Sequence, residues 1–212
     1  MKILSVTSLA IPDVKVVRFA RFKDNRGFFT EPFRQSDWAA QPELEADSKV
    51  RFVQVNESFS QKGVCRGLHF QWNPYMGKLV RTVYGSMVDL VLDIRKGSPT
   101  LGKIIGYDMP ASVTEAYSEW IWVPPGFAHG NFFTEDSGIE YLCSGEYSQS
   151  CEAGISPLAA DIDWSLCEPH LRDMFDKVVR IGGLLSEKDR NGLSVADWLG
   201  DDRSQYFRYE GR

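Results

Sequence analysis

Residues 78 to 109, KLVRTVYGSMVDLVLDIRKGSPTLGKIIGYDM, decide the fold class. Lys78 to Tyr84 and Met87 to Ile94 are β-branched, apolar runs joined at Gly85-Ser86, and Gly97-Ser98-Pro99 turns the chain into a third run. Three adjacent strands predict an antiparallel meander. Moving outward, residues 118 to 136, SEWIWVPPGFAHGNFFTED, read as strand, Pro-Pro-Gly turn, strand, and GIEYLCSGEYS (138 to 148) adds another. From Val50 to about Asp163 helical periodicity is nearly absent, which predicts an all-β sandwich or barrel. Upstream, IPDVKVVRFARFKDNRGFFTEPF (11 to 33) supplies one or two edge strands around an Asp24-Asn25-Arg26-Gly27 turn. Downstream, PHLRDMFDKVV and SVADWLG predict short helices beside the β core.

No linker or repeat divides the 212 residues, so one domain is expected: N-terminal strands over about 1–50, a barrel core over about 50–163 and a helical segment over about 164–212. The balance of 43% hydrophobic and 25% charged residues is that of a globular chain and excludes disordered and fibrous classes. A net charge of −5 argues against a nucleic-acid or anionic-membrane surface, though not against a small basic pocket. No apolar run is long enough for a membrane helix, and Pro12 interrupts any signal-peptide core; a cytoplasmic protein is expected. Cys65, Cys143, Cys151 and Cys167 form no CxxC pair and read as reduced thiols.

Chemistry concentrates around GVCRGLHFQ (63 to 71). His69 stands there with Arg66 three residues before it and Lys78 nine after, in apolar surroundings. Buried cations without anionic partners are costly, so an anionic ligand is the economical explanation, with Asp or Glu partners as the bland alternative. A regular pleat would put Arg66 and His69 on opposite faces; a bulge at Gly67 would re-aim one of them.

GVCRGLHFQ, the strand run from Lys78, IWVPPGFAHGNF, YLCSGEY and LSEKDRNG, in that order, resemble the dTDP-4-dehydrorhamnose 3,5-epimerase family of cupins. The resemblance covers most of the chain. It implies a cupin jelly-roll barrel, a homodimer whose active sites share N-terminal residues, a dTDP-4-keto-6-deoxyhexose substrate, and neither metal nor organic cofactor. It also implies residue roles. His69 corresponds to the base, Lys78 to the cation that stabilises the enolate, Tyr141 to the proton donor on the other face, and Asp189 to the carboxylate that orients the base. Arg26, Phe29, Glu31, Gln54, Asn56, Arg66, His129, Tyr147, Glu152 and Lys188 fall on substrate-binding positions, with Arg26 arriving from the partner subunit. One of Phe28 and Phe29 is expected in the core instead.

Carbons 3 and 5 of a 4-keto sugar both lie α to the ketone, so inversion needs this inventory of base, enolate stabiliser and acid. A metal-dependent cupin is a competing class, but His69-Phe70-Gln71 stands where an HxH pair would, leaving two imidazoles and no matching carboxylate. A single-carbon epimerase and a non-catalytic sugar-nucleotide-binding cupin compete as well. SQSCEAGI (148 to 155), which lacks a proline common in the family, and HFQWNPYMGK (69 to 78) depart from its pattern near the expected mouth of the sugar pocket.

Overall fold

The computed structural model describes residues 1–210; residues 211 and 212, the end of the expected C-terminal segment, lie outside the described residues. Two antiparallel sheets face each other. One has the order β1 (Ile3–Ser8), β2 (Lys15–Ala20), β10 (Tyr117–Val123), β7 (Lys78–Tyr84), β12 (Ser137–Cys143), β5 (Gln54–Ser60). The other has the order β13 (Glu152–Gly154), β6 (Cys65–Gln71), β11 (Phe127–Phe133), β8 (Ser86–Asp93), β9 (Ile104–Pro110). Between β5 and β13 the chain changes sheet at every connection except β8 to β9, which is the wrapping of a cupin-type jelly roll. A separate hairpin, β3 (Phe22–Asp24) and β4 (Gly27–Phe29), carries the expected Asn25-Arg26 turn. Helices α1 (Gln35–Ala39), α2 (Pro169–Phe175), α3 (Glu187–Arg190) and α4 (Val195–Gly200) complete the structure.

β8 shows why the central stretch is so apolar. Its Met87 and Val91 face the barrel interior with Val80, Ile121 and Ile139, while Val88, Leu90 and Leu92 pack on the other face under Leu171, Phe175 and Trp198. A strand covered on both faces reads as a continuous hydrophobic run rather than an alternating one. Part of the outer face of the six-stranded sheet is covered by Trp38 of α1, whose ring meets Trp122 edge-on at 5.5 Å.

Three expectations are corrected. The meander does not form: β8 and β9 pair, but β7 and β8 lie in opposite sheets. Gly85, at φ +77°, turns the chain across the gap, and a Cβ there would sit 2.4 Å from Ser137 Oγ. The stretch expected as N-terminal strands also contains α1 and a 3₁₀ segment over Pro42–Asp47, and β2 is not an edge, because β1 and β10 flank it. Neither Phe28 nor Phe29 enters the core; they are 41% and 66% exposed, Phe28 lying under the Arg21 guanidinium.

Candidate active site

The three strands β5, β12 and β7 run in register, so that Gln54, Cys143 and Lys78 form one row across the sheet and Asn56, Tyr141 and Val80 another, two residues along. Residues two apart on a strand share a face. Val80 packs in the barrel interior, so Lys78, Tyr141, Gln54 and Asn56 face inward as well. From the opposite sheet, His69 of β6 stands across from His129 of β11, and Arg66 stands across from Asn131. Two residues of β6, Gly67 and Leu68, thus oppose one of β11, Gly130, which is the bulge expected at Gly67. Gly67 has φ +112°, and a Cβ would lie 2.5 Å from Gly130 Cα; a side chain would drive the strands apart and withdraw Arg66 and His69 from their common cavity.

That cavity has two lobes. The larger, about 530 Å³, is lined by Gln54, Gln71, His69, Lys78, Tyr141 and Tyr147 among others. The second, about 300 Å³, continues past His69, Lys78 and Tyr141 to Arg66, His129 and Asn131.

His69 Nε2 lies 2.6 Å from Asp189 Oδ1. An ionised carboxylate only accepts hydrogen bonds, so Nε2 carries the proton and Nδ1 of the neutral ring keeps the free lone pair. Burial by itself would raise the Asp189 carboxyl, but the bond and charge of His69, the Ser186 hydroxyl and the Gly67 N–H hold it below its ordinary value. Ser186 in turn accepts from the Asp189 N–H at 3.1 Å, which pins the start of α3. The Lys78 ammonium forms no hydrogen bond or ion pair among the described residues. Burial lowers its pKa, against the opposing pull of Cys143, Asp89 and Glu152. Arg66 is held by neutral oxygens, Ser60 Oγ at 2.9 Å and Phe59 O at 3.2 Å. Two cations therefore border the cavity without a bonded carboxylate, as an anionic ligand requires. Burial raises the Tyr141 hydroxyl's pKa, reinforced by Cys143 and countered by Asn56 and Arg66, which keeps it a protonated donor. At the rim, Glu152 accepts from Tyr147 Oη at 2.9 Å and pairs with Lys188.

A family model described as dTDP-4-dehydrorhamnose 3,5-epimerase matches residues 8–197. The chain belongs to that family. The epimerase is 39% identical over 198 residues to the dTDP-4-dehydrorhamnose 3,5-epimerase of Shigella flexneri, a match spanning 92% of this chain and 97% of the relative. Its fold matches the crystal structure of dTDP-6-deoxy-D-glucose-3,5-epimerase RmlC from Legionella pneumophila in complex with dTDP-4-keto-L-rhamnose, with TM-score 0.77, 31% identity and coverage of 98% and 99% of the two chains. It also matches ChmJ, a 3'-monoepimerase from Streptomyces bikiniensis in complex with dTDP-quinovose, with TM-score 0.73, 27% identity and coverage of 90% and 87%. The chain is an enzyme of the isomerase class.

Within the epimerase, His69, Lys78, Tyr141, Asp189, Gln54, Asn56, Arg66, His129, Tyr147, Glu152 and Lys188 all border the two lobes. Arg26, Phe29 and Glu31 do not. Arg26 is paired with Asp24 at the tip of the β3–β4 hairpin, Phe29 is exposed, and Glu31 is bonded to Arg34 and the N-terminus. Two further residues serve the site without a motif to mark them. Asp89 bonds His129 Nε2 at 2.8 Å, and its signal in the sequence is an acid inside the apolar run MVDLVL (87 to 92). Gln71 ties the rim together, donating to Pro74 O and Glu146 O and accepting from Ser148 N–H. Among the described residues no three His, Cys, Asp or Glu side chains converge as metal ligands.

Proposed function

We propose that this epimerase inverts C3 and C5 of a dTDP-4-keto-6-deoxyhexose, most simply turning dTDP-4-dehydro-6-deoxy-D-glucose into dTDP-4-dehydro-L-rhamnose. One observation carries the reading: an imidazole held by a carboxylate on one sheet and a protonated phenol on the other border the same cavity, with an unpaired ammonium beside them. Inversion needs removal of a proton on one face of a carbon and delivery on the other, and base and acid on opposing sheets satisfy that demand. His69 Nδ1 removes the proton α to the ketone, a general-base step worth about 10² to 10⁴ in rate. Lys78, facing the barrel interior, stabilises the negative charge that develops on the ketone oxygen. Tyr141 then protonates the opposite face. Asp189 fixes the tautomer and direction of the imidazole.

The nucleotide extends toward Gln54, Asn56, Tyr147, Glu152 and Lys188, with Arg66 and His129 completing the lining. Arg26, Phe29 and Glu31 reach the site from the partner in a homodimer. The motive is the number of exposed apolar side chains, Phe22, Phe28 and Phe29 on the β3–β4 hairpin and Val55, Phe59 and Val83 on the outer face of the six-stranded sheet, which a partner would cover. The proposed location is the cytoplasm, which suits four free cysteines.

Incubation with dTDP-4-dehydro-6-deoxy-D-glucose, followed by borohydride reduction and sugar analysis, tests the activity. The expected products carry the L-rhamno or L-talo configuration. Recovery of only D-gluco and D-galacto sugars would contradict it, and inversion at C3 alone would make the chain a single-carbon epimerase.

A further inference from the structure

Proton bookkeeping sets a requirement that the substrate cavity does not meet by itself. Each inversion leaves His69 with one proton more and Tyr141 with one fewer. A second inversion on the same sugar therefore requires His69 to release a proton to solvent and Tyr141 to regain one, while the nucleotide sugar fills the space between them. Direct transfer across the ring plane is blocked by the substrate itself.

A third cavity lies on the other side of His69. It has a volume of about 300 Å³, borders His69, Asp189 and Lys188, and contains neither Lys78 nor Tyr141 in its wall. The rest of its lining comes from Gly67 of β6, from Ala153 and Gly154 of β13 with the adjoining Ile155, and from the chain after α3, including Asn191 and Arg203. The register explains its position: Gly154 of β13 stands opposite His69 on the flank away from β11. A Cβ on Gly154 would lie 3.0 Å from His69 Cδ2, so glycine there leaves the imidazole edge uncovered. The space is large enough for several waters, and the Asn191 amide, the Arg203 guanidinium and the Asp189 carboxylate supply the polar partners that ordered water needs.

We infer that this rear cavity is the proton exit of the His69–Asp189 pair, a water-filled route by which the base is reset while the sugar stays bound. The inference rests on the proposed function, because it assigns a path to the proton that His69 removes. The proton released by His69 leaves through the rear cavity as hydronium or on buffer, and Tyr141 regains one from solvent on its own side, through the substrate cavity it borders; no bond to the sugar is made or broken in the rear cavity, and no oxidant or reductant takes part.

Two variants fill the cavity from different walls without touching the substrate side: Asn191→Trp from the end of α3 and Ala153→Leu from β13. Rapid-quench kinetics with dTDP-4-dehydro-6-deoxy-D-glucose, trapped by borohydride, separate the first inversion from the second. In either folded variant the first inversion is expected to stay within about twofold of wild type while the second slows about tenfold or more, so that singly inverted sugar accumulates. If wild type inverts a single carbon, the same block shows as a burst of one product per site followed by slow turnover. Equal slowing of both steps, or no slowing in variants that melt like wild type, would overturn the route. A wild-type protein that inverts neither carbon would overturn the functional reading itself, an outcome visible before either variant is made.

Discussion

Two histidine–aspartate pairs stand side by side across β6 and β11, with the same atoms at nearly the same separation and opposite surroundings. In His69–Asp189 the histidine side chain is 30% exposed and its carboxylate 7%. In His129–Asp89 the figures are 7% and 0%. The first carboxylate comes from α3, outside both sheets, and is held by the Ser186 hydroxyl and the Gly67 N–H. The second comes from β8 in the barrel, and its Oδ1 accepts no hydrogen bond among the described residues. A proton must reach the outside for a base to turn over, and only the open pair offers that. The closed pair can fix a side chain and hold a shape, and breaking it strands a charge.

The difference predicts that the two histidines fail in different assays. His69→Ala should lower kcat by about 10² to 10⁴ while thermal stability and nucleotide binding are retained. An unfolded variant, or one with full activity, would erase the contrast. His129→Ala leaves Asp89 buried without its partner and should cost about 3–5 kcal/mol of stability, read from urea unfolding. A loss as small as that of His69→Ala would show that Asp89 is better served than its surroundings suggest.

Arg26 extends the comparison to residues that sit apart from both pairs. Arg26→Ala should weaken substrate binding by roughly tenfold to a hundredfold, the value of a charge-assisted phosphate contact. Mixed with His69→Ala chains, it should restore activity, because one site of each mixed dimer inherits both lesions and the other neither. No rescue after verified subunit exchange would place Arg26 outside a shared site.

Asp189→Asn removes orientation but keeps the base, so its rate should fall about 10- to 100-fold, less than for His69→Ala. It also carries a pH signature. The folded carboxyl titrates below its ordinary value of 3.8, so its stabilising contribution is complete above that value and is lost as pH falls through the lower folded one. The variant's acid unfolding curve should be shallower in that window; an unchanged curve would mean the hydrogen bonds to Asp189 are no better than those it makes with water.

The outlines of β7 and β8 were legible in residues 78 to 94 to within one residue, because a twice-covered strand has an apolar pattern that little else shares. Their partners were not. A Gly-Ser turn reads the same whether the chain folds back in its own sheet or crosses to the other, and only the packing of β8 under α2 and α4 decides. Helix α1 was invisible for a different reason: five residues without a side-chain cap have no periodic signature, and burial of Trp38 is what holds them. Arg66, His69 and the Gly67 bulge could be argued from pleat geometry alone. Asp189 could not, since EKDR reads as a solvated charge run. It reaches His69 because Leu184 pairs with Val64, bringing the following segment over the bulge. Its role was readable only through the family resemblance.

The central claim, that base and acid on opposing sheets serve both carbons, has a direct measurement. Wild-type enzyme acting on dTDP-4-dehydro-6-deoxy-D-glucose in heavy water should give a doubly inverted sugar with deuterium at C3 and at C5, located by NMR after reduction. Inverted sugar without solvent deuterium at those carbons, or no inversion at all, would contradict it.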